Sequence, residues 1–445
     1  MSKQSGSTTL PKERTFLIGI ELRNTPALLA MEDSLAELTA LAETAGLNVV
    51  GELFQRLSRP NPDTFIGSGK VEEVKALAHE CKADLIIFDS ELSPRHQRQI
   101  EKTLEGIRVI DRTALILDIF AQHAQTREGI LQVELAQYEY RLPRLTRAWT
   151  HLARQAGGGG GRTGNVGGVG LRGPGETQLE VDRREIHRRI GNLKEELEKV
   201  RSHRRQHRSY RKKAQFSSIS IVGYTNSGKS TLLNQISDAG VLVEDKLFAT
   251  LDPTTRRIDL PGGNHALFSD TVGFIQKLPT QLVAAFRATL EEITESDLLL
   301  HVVDITHPNA LAQWKSVQNT LDEIGAGHIQ TITAFNKIDR LPSPDSVPDD
   351  LSIYPDSIAI SAKNGLGIEN LLISIEECLF KNYISIIVSI PYTKGDVISL
   401  FHDKARVDKV NHNQDGVTIY GQIPMHLFTT FSPYTSQNPI APIEE

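Results

Sequence analysis

The sequence has few of the residues and segments that mark several large classes of protein. Cys81 and Cys378 are the only cysteines among 445 residues, which excludes a fold held by several disulfides and favours a reducing compartment. The longest apolar runs, residues 298–303 and 384–390, fall well below the roughly 20 residues of a membrane-spanning helix. The first 14 residues lack the apolar stretch of a secretory signal. We therefore expect a cytoplasmic protein with no membrane contact.

The composition is that of a folded chain. Hydrophobic residues make up 39% and charged residues 23%, as in globular proteins, and the length allows about three domains of roughly 150 residues each. The 14 histidines and two cysteines show no metal-ligand spacing. The net charge of −6 does not by itself suggest nucleic acid, so its distribution along the chain becomes the informative quantity.

Alternating strand and helix signals predict an α/β protein with several segments. The predicted order is a disordered tail (1–15), an N-terminal α/β domain with a parallel sheet (16–111), a helical hairpin (112–213), a second α/β domain (214–383), a small C-terminal α/β module (384–428) and a polar tail (429–445).

The hairpin segment has coiled-coil spacing and a basic charge. Apolar residues recur at intervals of 4, 3, 4, 3 over residues 131–145 and over residues 186–200, which predicts two packed helices, and Pro143 should kink or end the first. The connecting residues 157–175 contain 11 glycines, and residues 141–215 hold 19 Lys and Arg against 7 Asp and Glu. That local balance of +12 leaves −18 on the rest of the chain.

Two interpretations of this segment stay open. The charge run is either a solvated helix face or an arm that binds RNA, and RSHRRQHRSYRKK beside a glycine-rich loop containing Arg162 and Arg172 favours RNA. The glycines either form a linker or let the backbone approach phosphates. His203 and His207 lie within the basic run, where RNA contact is the simpler role.

The strongest motif is GYTNSGKS at residues 223–230, which fits G-x-x-x-x-G-K-[ST] after an apolar strand and before a helix. Glycines let the backbone N–H groups surround phosphates, Lys229 can reach the β- and γ-phosphates, and Ser230 can bind Mg²⁺. The predicted nucleotide-binding residues here are Gly223, Tyr224, Thr225, Asn226, Ser227, Gly228, Lys229 and Ser230.

Two further segments follow in the order expected of a GTPase. A carboxylate at a strand end can hold Mg²⁺ through a water, and a nearby glycine N–H can sense the γ-phosphate; this predicts Asp270, Thr271, Val272 and Gly273. The first switch should be Phe248, Ala249, Thr250, Leu251 and Asp252. Thr250 is the predicted switch hydroxyl on Mg²⁺, with Thr254 and Thr255 as competitors that spacing does not separate.

The choice of base is predicted from Asn336, Lys337, Ile338 and Asp339. The Asp339 carboxylate can accept hydrogen bonds from both N1–H and the exocyclic amine of guanine, a pair that adenine does not offer. Asn336 should tie this loop to residues 223–230, and Lys337 can lie over the base. Ser361, Ala362 and Lys363 follow another strand and can offer backbone N–H groups to guanine O6.

The residue after Gly273 is Phe274, where many GTPases place a Gln that orients the attacking water. A phenyl ring cannot do this, so we expect slow intrinsic hydrolysis that a partner stimulates. In some GTPases without the Gln, an Asn at the position of Asn226 helps to hold K⁺. Lys229, Asn226 and Thr250 are accordingly the predicted catalytic residues, with K⁺ as a further expected cofactor.

A second loop, TFIGSGK at residues 64–70, resembles a phosphate loop without satisfying the motif. Thr64 stands where the first glycine is needed, and Val71 replaces the Ser or Thr. A turn leading into a helix is the favoured interpretation, and a second nucleotide site is the alternative.

Taken together, these motifs resemble the HflX family of translational GTPases over most of the chain. The resemblance rests on residues 64–70, on GPGETQLEVDRR at 173–184, on GYTNSGKS at 223–230 and on the segments 248–252, 270–273 and 336–339. It implies a P-loop GTPase domain at 214–383 and a monomeric protein that binds the large (50S) ribosomal subunit and its rRNA. It also implies splitting of stalled or idle ribosomes under stress, with the hairpin reaching toward the peptidyl-transferase region.

Two other classes of function stay open. One is a GTPase that acts in ribosome assembly or RNA modification and does not separate subunits. The other is a nucleotide-sensing scaffold in which Phe274 makes hydrolysis negligible.

Overall fold

The computed structural model describes residues 12–23, 30–145, 174–213, 217–237, 247–248, 254–277, 287–341, 357–381 and 383–435. The tip of the predicted hairpin and most of the predicted first switch lie outside these residues. Within them, no helix combines the length and apolar content needed to cross a bilayer.

The N-terminal unit is a four-stranded, fully parallel sheet in the order β2-β1-β3-β4. All four residues of β3, Leu-Ile-Ile-Phe, are buried, as expected of a central strand with both faces covered. The strands are β1 (Arg14–Leu22), β2 (Asn48–Leu57), β3 (Leu85–Phe88) and β4 (Arg108–Asp111). The helices are α1 (Met31–Thr44), α2 (Ser68–Glu80), α3 (Pro94–Thr103) and α4 (Arg112–His123).

Two predicted boundaries of this unit are wrong. Strand β1 begins at Arg14, and Thr15 is fully buried, so the predicted tail 1–15 extends two residues too far. Helix α4 was assigned to the hairpin, which was predicted to begin at residue 112. It packs instead on the N-terminal core through Ile116, Ile119 and Phe120, because its N-cap Asp111, whose side chain accepts from Ala114 N, starts a helix immediately after β4.

The hairpin consists of α5 (Arg127–Leu145) and the 40-residue α6 (Pro174–Lys213). Their contact buries the predicted apolar seam, which comprises Leu131, Leu135, Ile190, Leu193 and Leu197, with Tyr138, Leu142 and Ile186 at its margin. Helix α5 continues past Pro143 to Leu145, the last described residue of this segment. The predicted pairing of two helices is therefore confirmed for the described part of the segment.

The second α/β unit is a six-stranded sheet in the order β10-β9-β8-β5-β7-β6, in which β6 alone is antiparallel to its neighbour. Its strands are β5 (Ser217–Gly223), β6 (Thr254–Asp259), β7 (His265–Asp270), β8 (Leu298–Asp304), β9 (Thr331–Asn336) and β10 (Ser357–Ala359). Its helices are α7 (Lys229–Ser237), α8 (Arg287–Thr294), α9 (Ala310–Glu323) and α10 (Ile368–Phe380).

The C-terminal module is an antiparallel sheet in the order β11-β13-β12 with helices on one side. It comprises β11 (Tyr383–Pro391), α11 (Gly395–Lys404), β12 (Arg406–His412), β13 (Gly416–Pro424) and α12 (Phe428–Phe431). The prediction of a disordered tail from residue 429 is wrong for its first part. Phe431 is fully buried edge-to-face against Phe401, and Thr435 bridges to Val388. Apolar burial holds this segment even though its composition is polar.

Candidate nucleotide-binding site

Residues 223–230 form the turn between β5 and α7, at the carboxyl edge of the six-stranded sheet, where parallel α/β sheets bind ligands. Gly223 has φ +152° and Gly228 has φ +97°, conformations that residues with a Cβ rarely adopt. A Cβ on Gly228 would lie 2.2 Å from Asn336 Nδ2. Asn226 also has positive φ, at +60°, and its side chain is exposed. Glycine at positions 223 and 228 therefore lets the loop turn tightly and touch the neighbouring strand.

Lys229 is buried beneath this loop, and its amine points back into it. Lys229 Nζ donates to the carbonyl oxygens of Tyr224 at 2.8 Å and Gly223 at 3.2 Å. Burial lowers the pKa of Lys229 to about 8, although the Asp270 carboxylate opposes this shift. Its own loop fixes the amine, and no carboxylate of the described residues forms an ion pair with it, so an anionic phosphate would be a direct partner for its charge.

Two side-chain hydroxyl groups of this loop are buried. Among the described residues, Thr225 Oγ1 and Ser227 Oγ have no hydrogen-bond partner. Buried polar atoms are nearly always paired, so these two orphan groups fit a bound phosphate or the waters around it.

Ser230 and Asp270 meet on the other side of the loop. The Ser230 hydroxyl donates to Asp270 Oδ2 at 2.6 Å, and Asp270 is almost fully buried at the end of β7. A hydroxyl and a carboxylate are the hard oxygen ligands that Mg²⁺ prefers, so these residues fit the ion. Next to them, the Thr271 hydroxyl donates to Ile221 O at 2.7 Å and ties the strand end to β5.

The loop of residues 336–339 is clamped to residues 223–230 by two side chains. Asn336 Nδ2 donates to Ser227 O at 2.9 Å, as predicted. Lys337 Nζ donates to Asn226 O at 2.8 Å and pairs with Asp304 Oδ2 at 2.7 Å. Lys337 itself has φ +71°, a strained conformation for a residue with a Cβ, and these contacts over-determine its position.

Asp339 is oriented by the last predicted motif. Ser361 Oγ donates to Asp339 Oδ1 at 2.6 Å, and Ile338 lies between Asp339 and the clamp in a short 3₁₀ turn. Ala362 N donates to Asn336 Oδ1 at 2.9 Å, so in this structure that N–H holds the loop together instead of facing guanine O6. Lys363, next to it, is exposed.

The segment after β7 lies directly on the phosphate loop. Phe274 N donates to Gly223 O at 3.0 Å, and Thr225 N donates to Phe274 O at 2.8 Å, which makes Tyr224 and Phe274 a parallel bridge. Gly273 is so close that a Cβ on it would lie 2.8 Å from Thr225 Cγ2. The Phe274 ring is buried in the same apolar cluster as the partly buried Val272, so its burial agrees with the inference that this position cannot orient a water.

Only Phe248 of the predicted first switch lies within the described residues. Its ring is buried, edge-to-face with Phe120 of α4 at 4.6 Å between centroids. Ala249, Thr250, Leu251 and Asp252 lie outside the described part, so the choice of Thr250 as the metal ligand stays a prediction. The competitor Thr255 shares a hydrogen bond with Ser269 at 2.8 Å across β6 and β7.

Sequence reasoning missed several residues that contact this site. Asp304 ends β8, one strand from β5, and a carboxylate at that position was a usable signal. Asp89 offered the same signal, since it directly follows β3, whereas nothing local marked Glu37; they lie 188 and 187 residues before Lys277 and Tyr224, which they contact. Glu37 accepts a hydrogen bond from Tyr224 Oη, and Asp89 pairs with Lys277 Nζ. The N-terminal unit therefore touches both the phosphate loop and the segment after Gly273.

Comparison with known proteins agrees with this geometry. Three sequence families match the chain, described as "GTP-binding GTPase N-terminal" at residues 32–121, "GTP-binding GTPase Middle Region" at 123–211 and "50S ribosome-binding GTPase" at 218–337. The chain is 46% identical over 391 residues to the GTPase HflX of Magnetococcus marinus, covering 88% of each chain. It is 42% identical over 397 residues to that of Escherichia coli, covering 89% of this chain and 90% of the other.

A crystal structure of a GTP-binding protein from Sulfolobus solfataricus in complex with GDP is 26% identical, with a TM-score of 0.41, over 83% of this chain and 99% of that one. This chain is an enzyme that binds GTP and hydrolyses it, as its match to the family "50S ribosome-binding GTPase" and to curated GTPases shows. On identity and coverage of its curated relatives, the chain belongs to the HflX family of GTPases.

Proposed function

We propose that this GTPase binds the large ribosomal subunit and its rRNA through the hairpin, and splits or rescues stalled and idle ribosomes under stress. The single observation that carries the proposal is the attachment of a basic two-helix arm to a unit that touches the nucleotide site. The name of the matched family, "50S ribosome-binding GTPase", supports the same partner.

The charges of the hairpin are arranged for an anionic partner. Where α5 and α6 cross, acidic residues of α5 are neutralised by α6, with Arg189–Glu134 at 2.8 Å and Lys194–Glu139 at 2.9 Å. Arg183, Arg184 and Arg188 are exposed on α6. Arginines on one exposed helix suit phosphate contact, since each can donate two parallel hydrogen bonds.

We further propose that Ser230 and Thr250 hold Mg²⁺, that Asn226 contributes to a K⁺ site, and that the ribosome stimulates an otherwise slow hydrolysis. Bound Mg²⁺ would neutralise charge on the β- and γ-phosphates. We also propose that the protein acts in the cytoplasm, as a monomer.

Sucrose-gradient sedimentation of purified 70S ribosomes with the protein tests the proposal. With GTP, or with GDPNP as its non-hydrolysable analogue, we expect a shift from joined to separate subunits and co-sedimentation of the protein with the large subunit. Reversing Arg201, Arg204, Arg205 and Arg208 to Glu should remove binding and leave GTP affinity intact. Association that persists in this variant would exclude the arm as the anchor.

A matched control reverses four arginines outside the hairpin, namely Arg56, Arg59, Arg95 and Arg108, all exposed on the N-terminal unit. It changes the net charge by the same amount and should bind as the unaltered protein does. Binding without separation of subunits would favour the alternative, a GTPase of ribosome assembly or RNA modification.

A further inference from the structure

A chain of charged groups begins at the nucleotide site and enters the buried interior of the N-terminal unit. Lys277 Nζ, four residues after Gly273, pairs with Asp89 Oδ2. Asp89 is fully buried, and burial raises the pKa of its carboxyl while Lys277 partly lowers it again. Its other oxygen accepts from Arg112 Nη1 at 2.7 Å. A buried carboxylate held by two cations from different units makes the position of each depend on the other.

A second contact reaches the same arginine from the phosphate loop. Tyr224 Oη donates to Glu37 and accepts from Gln276 N at 2.8 Å, and Glu37 pairs with Arg112 Nη2. Arg112 is 2% exposed. One guanidinium therefore holds the two carboxylates that fix the phosphate loop and the segment after Gly273.

The residue before Arg112 holds the hairpin. Asp111 accepts from Tyr140 Oη at 2.9 Å and from Arg144 Nη2 at 3.1 Å, and both donors lie on α5. Arg144 stacks over the Tyr140 ring at 3.4 Å from its centroid and also donates to Leu92 O at 2.8 Å. Burial raises the pKa of Tyr140, so the phenol remains a donor at neutral pH.

These two adjacent residues, which we name the Asp111–Arg112 junction, sit where β4 passes into α4. One side chain faces the GTPase unit and the other faces the hairpin, and both brace the loop of residues 89–92 through Asp89 and Leu92. Arg112 follows Asp111 directly, at the first position of a capped helix, so both side chains depend on the position of the same backbone segment.

We propose that the Asp111–Arg112 junction couples the nucleotide state of the GTPase unit to the grip of the hairpin on RNA. When the γ-phosphate repositions Gly273, the ion pair between Lys277 and Asp89 tightens or breaks, and Arg112 moves with Asp89. Asp111 then changes the angle at which α5 leaves the N-terminal unit. The inference rests on the proposed binding of RNA by the hairpin. The inference adds the contacts through which bound GTP would change the affinity of the hairpin for RNA.

The test compares the affinity of the full-length protein for purified large ribosomal subunits in saturating GDPNP and in saturating GDP. Couplings between sites typically change affinity roughly 5- to 150-fold, and the unaltered protein should fall in this range. Lys277→Met cuts the chain at the switch and Arg144→Met cuts it at the hairpin. Each should bring the ratio of the two affinities close to one, with the double variant losing no more than either single one.

Lys75→Met is the matched control. It removes an ion pair with Glu105 on the surface of the same unit and should keep the ratio of the unaltered protein. Thermal unfolding tests whether each variant is folded, because Lys277→Met leaves the buried Asp89 with Arg112 as its remaining cationic partner.

The outcomes separate the two ideas. Absence of subunit binding by the unaltered protein in either nucleotide overturns the proposed function, and the inference with it. Binding that does not depend on nucleotide overturns the inference alone, as does a ratio unchanged in Lys277→Met or Arg144→Met. Additive losses in the double variant would mean two separate routes and would also overturn it.

Hydrogen exchange in the free protein gives a reading without ribosomes: protection of residues 127–145 should differ between GDP and GDPNP, and Lys277→Met should abolish the difference.

Discussion

Two loops in this chain combine glycine with lysine ahead of a helix, and they are built differently. In residues 64–70, Lys70 Nζ lies 3.0 Å from Glu73 Oε1 on the helix surface, and the Thr64 hydroxyl donates to Ile66 O at 2.6 Å. In residues 223–230, Lys229 is buried and its amine is held by carbonyl oxygens of its own loop. Lys70 already pairs with a carboxylate, whereas Lys229 forms no ion pair with any of the described residues.

The glycines differ in the same way. Gly67 has an ordinary extended conformation, with φ −60°, and a Cβ on Gly69 would meet nothing within 4 Å. Positive φ in that loop falls on Phe65. Gly223 and Gly228 have positive φ and would both clash if they carried a Cβ. A phosphate loop is thus defined by what surrounds it, and the difference predicts one nucleotide site in the second loop and none in the first.

The largest test of the comparison is removal of each lysine. Lys229→Ala should weaken GTP binding by about 4 kcal/mol, roughly a thousandfold, since two or more charge-assisted hydrogen bonds to phosphate are lost. Lys70→Ala should leave GTP affinity unchanged. Isothermal titration calorimetry with GTP measures both, and a loss of GTP binding in Lys70→Ala would contradict the assignment of a single site.

Replacing one glycine in each loop should give effects of opposite sign. Gly228→Ala forces positive φ on alanine and drives a Cβ into Asn336, so we expect about 3 kcal/mol of destabilisation and loss of GTP binding. Gly69→Ala lies in an unobstructed first turn of α2 and should gain about 0.5–1 kcal/mol from helix propensity. Urea unfolding monitored by circular dichroism gives both values, and equal effects would refute the contrast.

Sequence reasoning found the phosphate loop because its signals are local. A strand, a glycine pattern and a helix start lie within residues 217–237, and the same holds for β9 and Asn336. Glu37, Asp89 and Arg112 were beyond its reach, since they approach the site through the packing of separate units. The prediction for helix α4 fails for a related reason: its apolar face fits a hairpin as well as a core, and in the structure it contacts both α1 and α5.

The structure also shows contacts within the motifs that the sequence does not predict. Asn336 was predicted to clamp the loop and does so, but the pairing of Lys337 with Asp304 and the use of the Ala362 N–H by Asn336 required coordinates. The polar composition of the C-terminal segment predicts disorder from residue 429, but the burial of a single aromatic residue, Phe431, fixes the first part of this segment.

A third test separates base selection from phosphate binding. Asp339→Asn should weaken GTP binding by about 2–3 kcal/mol through loss of charge-assisted hydrogen bonds and improve binding of xanthosine triphosphate, whose base presents an acceptor to the new amide. Competition between the two nucleotides for a fluorescent GDP analogue measures the switch. Ser374→Ala, on α10 away from the predicted site residues, serves as the control, and unchanged GTP preference in Asp339→Asn would remove Asp339 from base recognition.

The smallest expected effect sharpens the contrast between a buried and a surface lysine. Burial lowers the pKa of Lys229 to about 8. Bound phosphate favours the protonated amine, so GTP affinity falls at pH values where Lys229 of the free protein loses its proton. From pH 7 to 8.5 a group with this pKa should reduce GTP affinity by about fourfold. Lys229→Arg keeps its charge throughout this range, so its weaker binding should not vary with pH. Calorimetry at several pH values decides the point, because a decline of equal size in Lys229→Arg would assign the proton to another group in the complex.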